Sequence, residues 1–304
     1  AYQAKMKKAA GIEYSTYGTY EGENKRTGAP ISFFVHKTAA DSGKNKISDT
    51  ASIRIVDANG VVVRNLRAKA DTGFNRFFWG MEGKGVRQSG FGGRGGGRFG
   101  GGGGNAEPGG LPVDPGTYKV VLSLGKDIAD STTVVVNDDP NSPTSKEIRD
   151  AIRKANARME KSILRLNAVN DRLAEAEETI RKVEAGMPNM DRKNADTLRK
   201  AGKQVTEGIK EIREMLNGKP QLKQGYGNIP QETINGLLGE ARMLLMGKTA
   251  LPGAQEDRLM SYAEEAVEQV VKKANELFDG KWKQYKSLAE AAPVKLFKEY
   301  KTIE

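Results

Sequence analysis

"ASIRIVDANGVVVRNL" (51–66) is the stretch on which the fold turns. In its first half Ile53 and Ile55 fall on one face of an alternating run, the period of a half-buried strand. "DANG" (57–60) is a tight-turn signal, with Asn59 and Gly60 able to supply positive φ. "VVVRNL" (61–66) then resumes a β-branched run, so the spacing predicts a β-hairpin. The flanking sequence extends the pattern. "ISFFVH" (31–36) is an apolar run and "GFNRFFWG" (73–80) is rich in aromatics. "GTYKVVLSLG" (116–125) alternates through Tyr118, Val120 and Leu122, and "STTVVVN" (131–137) sets Val134 and Val136 on one face. Short strands with turn residues between them and no helical period predict an antiparallel β-sandwich of immunoglobulin type over 28–139, with Trp79 and Phe77 in its core. Residues 1–27 precede it as an N-terminal arm. There "YSTYGTY" (14–20) spaces tyrosines three apart and reads as an extended arm or a docking strand.

The chain changes character at "NDDPNSPTSKE" (137–147). Thr144 and Glu147 stand at capping-box spacing. Apolar residues then recur every three or four positions, from Ile148, Ile152 and Ala155 through Leu166 and Leu173 to Ile180 and Val183. That is one long amphipathic helix, stopped by Gly186 and Pro188. A second helix runs from about Asp191 with the stripe Leu198, Val205, Ile209, Ile212 and Leu216. A third follows Pro230, with Ile234, Leu237, Leu238, Ala241, Leu244 and Leu245. A fourth covers 255–278 on Leu259, Tyr262, Ala266, Val270, Ala274 and Leu277, and a short tail helix covers 281–291. Short breaks favour antiparallel neighbours. The expected architecture is therefore α+β and multidomain: the sandwich, then an antiparallel bundle of about four helices over 144–292, then a C-terminal tail over 293–304. A long coiled coil with a partner is the alternative for the helical part.

Composition excludes several classes. There is no cysteine, so disulfides, thiolate metal sites and cysteine nucleophiles are out. No apolar run approaches the roughly 18 residues of a membrane span. The opening "AYQAKMKKAAGIEY" has neither an initiator Met nor an apolar signal core, so a processed chain or a fragment is expected. The net charge is +10. It is spread, with 19 basic against 14 acidic residues up to residue 140 and 30 against 25 beyond it. Lys and Glu intermingle along the helices as on a solvated surface.

Catalytic patterns are scarce. His36 is the single histidine and has no nucleophile motif beside it. "NDDPN" (137–141) lacks the ligand spacing of a calcium loop and reads as a domain junction. "GKT" (247–249) lacks the upstream glycine of a phosphate-binding loop and reads as a helix stop. "AEAEE" (174–178) lies on a polar helix face. "SGFGGRGGGRFGGGGGN" (89–105) resembles an arginine–glycine box, with Arg94 and Arg98 for phosphates and Phe91 and Phe99 for stacking on bases. Two arginines in one unrepeated block give little salt-resistant attraction. Strand patterns flank the block on both sides. A flexible glycine-rich loop over 89–110, inside the sandwich, is the expected reading.

Four segments in order, "GAPISFFV" (28–35), the 51–66 hairpin, "GFNRFFWGM" (73–81) and "PVDPGTYKVVL" (112–122), resemble the region after the propeller in bacterial sortilin-like BNR/Asp-box repeat proteins, often labelled glycosyl hydrolases. Asp57 and Gly60, with Ile55 and Arg64, match the family's hairpin. Asn75, Arg76 and Trp79 match its aromatic strand, and Pro115, Gly116 and Tyr118 match its last motif. Gly80 stands where the family has Asp. The resemblance extends over most of residues 28–304. It implies an exported bacterial protein and a non-catalytic structural or docking region whose motif residues are structural. It supplies no catalytic, cofactor-binding or metal-ligating residue. A protein partner is expected, either the chain's own propeller or an envelope complex; nucleic acid is not. Two alternatives stay open: a fragment of a propeller hydrolase whose active site is upstream, and an RNA-binding protein using the glycine-rich loop.

Overall fold

A computed structural model describes residues 27–36, 49–87, 107–125, 128–140, 144–219, 233–246 and 248–292. The architecture is α+β, with antiparallel sheets in the N-terminal part followed by helices. Residues up to Arg153 form one compact unit and those from Lys154 a second. The N-terminal arm, the YSTYGTY segment, the C-terminal tail and most of the glycine-rich stretch lie outside the described residues.

The first unit holds eight strands among the described residues: β1 (Ala29–Val35), β2 (Thr50–Val56), β3 (Val62–Lys69), β4 (Gly73–Trp79), β5 (Glu82–Lys84), β6 (Gly109–Pro112), β7 (Gly116–Leu124) and β8 (Ile128–Val136). The 51–66 hairpin forms as β2 against β3, with β3 at the edge and β2 inside a four-stranded sheet of order β3-β2-β7-β8. β1 pairs with β4, and β5 with β6. Inward residues alternate along the strands as the period of two requires. Ala29 and Ile31 of β1, Ile53 and Ile55 of β2, Trp79 of β4, Tyr118 and Val120 of β7 and Val136 of β8 bury into one cluster.

The hairpin turn differs from the sequence expectation in one respect. Gly60 has φ +81°, but Asn59 does not take positive φ. Asp57 does the closing instead. Its Oδ1 accepts from Asn59 N at 2.9 Å and from Val61 N at 2.8 Å, an Asx turn that needs only one left-handed residue. β5 and β6 carry no alternation signal, being short and built on Gly and Pro. Gly109 and Gly110, placed by the sequence reading in a flexible loop, are strand residues of β6. Gly110 has to be glycine here, because a Cβ would stand 2.6 Å from the Lys84 carbonyl oxygen.

The helices are α1 (Lys146–Gly186), α2 (Arg192–Asn217), α3 (Ile234–Met246), α4 (Ala254–Leu277) and α5 (Lys283–Ala291). α1 is capped by Ser145 rather than Thr144: the Ile148 amide donates to Ser145 Oγ at 3.3 Å, while Thr144 N donates to Asp138. The α2 stripe and the α1 stripe from Ile152 to Ile180 are buried as the spacing predicts, while Ile148 and Val183 at the ends of the α1 stripe are half-buried. On α3, Leu244 is exposed. On α4 the apolar face starts one residue away from its expected phase. Met260, Ala263 and Val267 are buried, and Tyr262 is exposed. A π-helical turn, Phe278–Trp282, joins α4 to α5.

Candidate functional site

The residues singled out by the family resemblance occupy four places in the β unit. Asp57 and Gly60 close the β2–β3 turn. Asn75 closes the next one. Its Oδ1 accepts from Asp71 N at 3.0 Å, and its Nδ2 donates to the carbonyls of Asp71 at 2.7 Å and Gly73 at 3.0 Å. Arg76 lies on the exposed face of β1–β4 and donates from Nε to Ser32 Oγ at 3.0 Å. Trp79 and Tyr118 come together in the core, ring centroids 5.3 Å apart and edge to face. Trp79 is fully buried, and its indole N–H donates to the Glu82 carbonyl at 3.0 Å. Tyr118 sits just past the Pro115–Gly116 turn, and its hydroxyl donates to the Asp114 carbonyl at 2.7 Å. Burial pushes the Tyr118 phenol pKa up, aided by the negative charges of Asp114 and Asp57. The set does not converge on one cleft.

One polar node was not visible as such in the sequence. The Arg64 side chain is almost fully buried, and its guanidinium reaches Glu82 Oε1 at 2.8 Å. It also donates to the carbonyls of Gly83 at 3.0 Å and Glu107 at 3.2 Å. Glu107 in turn accepts from Asn65 N at 2.9 Å and Nδ2 at 3.2 Å, and pairs with Lys84 at 3.2 Å. Burial raises the Glu107 pKa, but the Asn65 amides and the Lys84 ammonium outweigh it and hold the carboxyl below its ordinary value. Gly85 N donates to Pro108 O at 2.9 Å, so the chain segments flanking residues 88–106 are fastened side by side. The signal in the sequence was the single Arg of "VVVRNL" on an otherwise inward-facing position. Its partners Glu82, Gly83 and Glu107 lie 18, 19 and 43 residues further on, too far for spacing to reveal.

Three of the remaining motifs are engaged in structure. His36 is exposed and immediately follows β1. In "NDDPN", Asp138 accepts from Thr144 N at 2.9 Å and from Arg149 at 3.3 Å. In "GKT", Lys248 pairs with Glu256, whose carboxylate also accepts from Gly253 N at 2.8 Å and caps α4. In "AEAEE", Glu177 pairs with Arg213 and Glu178 with Lys182. Arg94, Arg98, Phe91 and Phe99 lie outside the described residues. Among the described residues no cluster of His, Asp or Glu could hold a metal ion, and no helix is long and apolar enough to cross a membrane. A recess between α1, α3 and α4, lined by Met159, Leu238 and Met260, is too small to admit a water molecule. Comparison with family models, with curated proteins and with solved structures found no match for this chain.

Proposed function

We propose that this chain is a non-catalytic structural and docking region of an exported BNR-repeat propeller protein. Its β unit is an immunoglobulin-like sandwich and its helical unit an antiparallel bundle. Its partner is protein, either its own upstream propeller or an assembly at the cell envelope. The observation that carries this reading is how the motif residues are used. Trp79 and Tyr118 fill the core, while Asp57 and Asn75 are consumed by turn hydrogen bonds. Side chains so engaged hold a scaffold and are not free to act on a substrate. The tyrosine hydroxyl bonded four residues back, to Asp114, supports the immunoglobulin-like assignment, since such sandwiches commonly carry a tyrosine corner of this kind.

The test is the intact mass and N-terminal sequence of the native protein, recovered separately from the cytoplasmic and the exported or envelope fractions of its cells. A longer polypeptide with Asp-box repeats ahead of Ala1, in the exported or envelope fraction, is the expected result. A native cytoplasmic protein without such repeats overturns the reading.

A further inference from the structure

The outward face of the β3-β2-β7-β8 sheet carries cations and no carboxylate of its own, in a chain with 39 acidic residues. Strand register sets the order of its rows. Arg67 stands opposite Ser52, which stands opposite Ser123. In the next row Arg54 lies between Asn65 and Val121, and in the one after Lys119 lies between Val56 and Thr133. Alternate residues of a strand share a face. Arg67, Arg54 and Lys119 therefore stand on one side, each one strand over and two residues along from the last. Diagonal neighbours of this kind are about 7–8 Å apart. All three are exposed, and none has an acidic partner among the described residues. Lys69 is at the margin and is already paired with Asp71. Glu107 approaches from the β3 edge, but Asn65 and Lys84 occupy its carboxylate. Hydroxyls of Ser52, Ser123, Ser131 and Thr133 flank the row.

We propose that this face binds a linear acidic polysaccharide, a polymer of uronate sugars whose carboxylates meet the diagonal of cations and whose hydroxyls meet the flanking Ser and Thr. Three features favour this ligand over other polyanions. Four strands about 4.8 Å apart make a surface wider than the roughly 12 Å major groove of duplex DNA, so the sheet cannot enter it. The outward positions hold no aromatic residue on which single-stranded bases would stack. They also lack the aromatic and Met anchors typical of protein interfaces. The inference is independent of whether a propeller precedes this chain.

The experiment measures fluorescence anisotropy of a fluorescein-labelled polygalacturonate oligomer against the full chain, at about 20 mM and about 150 mM salt. Saturable binding that weakens with salt is expected. The variant Arg54→Ser/Arg67→Ser/Lys119→Ser should bind about tenfold more weakly or worse, the combined effect of three screened attractions. A variant of equal net charge on α2, Lys193→Ser/Lys200→Ser/Lys203→Ser, should bind like the parent. Arg54→Ser alone, at the centre of the row, should show a smaller loss in the same direction, and it decides the matter should the triple variant not fold. Equal weakening by the α2 variant overturns the proposal, as does absence of binding at the lower salt. So does binding of duplex DNA or polyglutamate as tight as that of polygalacturonate.

Discussion

Arg64 shows how much one side chain can carry. It is charged and buried; Glu82 and two backbone carbonyls are brought to its terminal nitrogens, while its Nε has no hydrogen-bond partner among the described residues. Arg64→Ala leaves those acceptors without a partner and should destabilise the β unit by about 3 kcal/mol in urea unfolding. Arg64→Lys should not restore the loss, because an ammonium lacks the planar fork that reaches all three acceptors. Tyr285 is the opposite case. It is buried, its hydroxyl has no hydrogen-bond partner among the described residues, and burial, helped by the charge of Glu184, pushes its pKa up to about 12. Tyr285→Phe should therefore be neutral or stabilising, since a buried hydroxyl without a partner costs stability. Glu256 sets an acid limit for the helical unit. Lys248, then the Gly253 amide, hold its carboxyl down to about 2 from an ordinary 4.5. A depressed folded pKa means that the stabilisation is complete above about 4.5 and is lost as pH falls through about 2. Far-UV circular dichroism against pH should show this loss in the parent, and a flatter profile over that window in Glu256→Gln.

At the scale of elements, the helix phases are instructive. Repeats of three and four apolar residues located α1 and α2, because each has one dominant stripe. α4 was harder. Leu259 and Tyr262 offer an apolar phase one residue away from the true one, and only contact with neighbouring helices selects Met260, Ala263 and Val267. The π turn widens the helix between Leu277 and Tyr285, both of which are buried. Deleting Gly280 should close the turn into an α-helix and leave the residue now at Tyr285 buried, with an unchanged or higher Tm. Inserting one alanine there should rotate it outward and lower the Tm. Hydrogen exchange monitors either outcome. β5 and β6 fall outside any periodicity argument. Three and four residues of Gly, Pro and charge pair as strands where Arg64 and the Gly85–Pro108 and Val113–Met81 hydrogen bonds hold the segments together.

For the whole molecule, the division into units runs through a helix. Residues 146–153 of α1 belong with the strands, where Arg149 and Arg153 pair with Asp114 and Arg149 also pairs with Asp138. A fragment that ends after Ala155 should accordingly be more stable than one that ends before Thr144, by about 1 kcal/mol for partly exposed pairs, as urea midpoints would show. Composition shift alone points to the break at 137–147, because it registers where β pattern gives way to helix and not where side chains make their contacts. What the sequence by itself determined is the run of strands and then helices, the hairpin at 51–66 and the burial of Trp79; Phe77, expected beside it in the core, is only half-buried. Each follows from local periodicity or turn chemistry, which a linear string contains. The tertiary structure alone decided the Arg64 node, the β5–β6 pairing, the phase of the first turns of α4 and the diagonal of cations across three strands. Those depend on which distant residues meet, and strand register and helix contact fix such meetings through burial of the whole chain, beyond the reach of any local window.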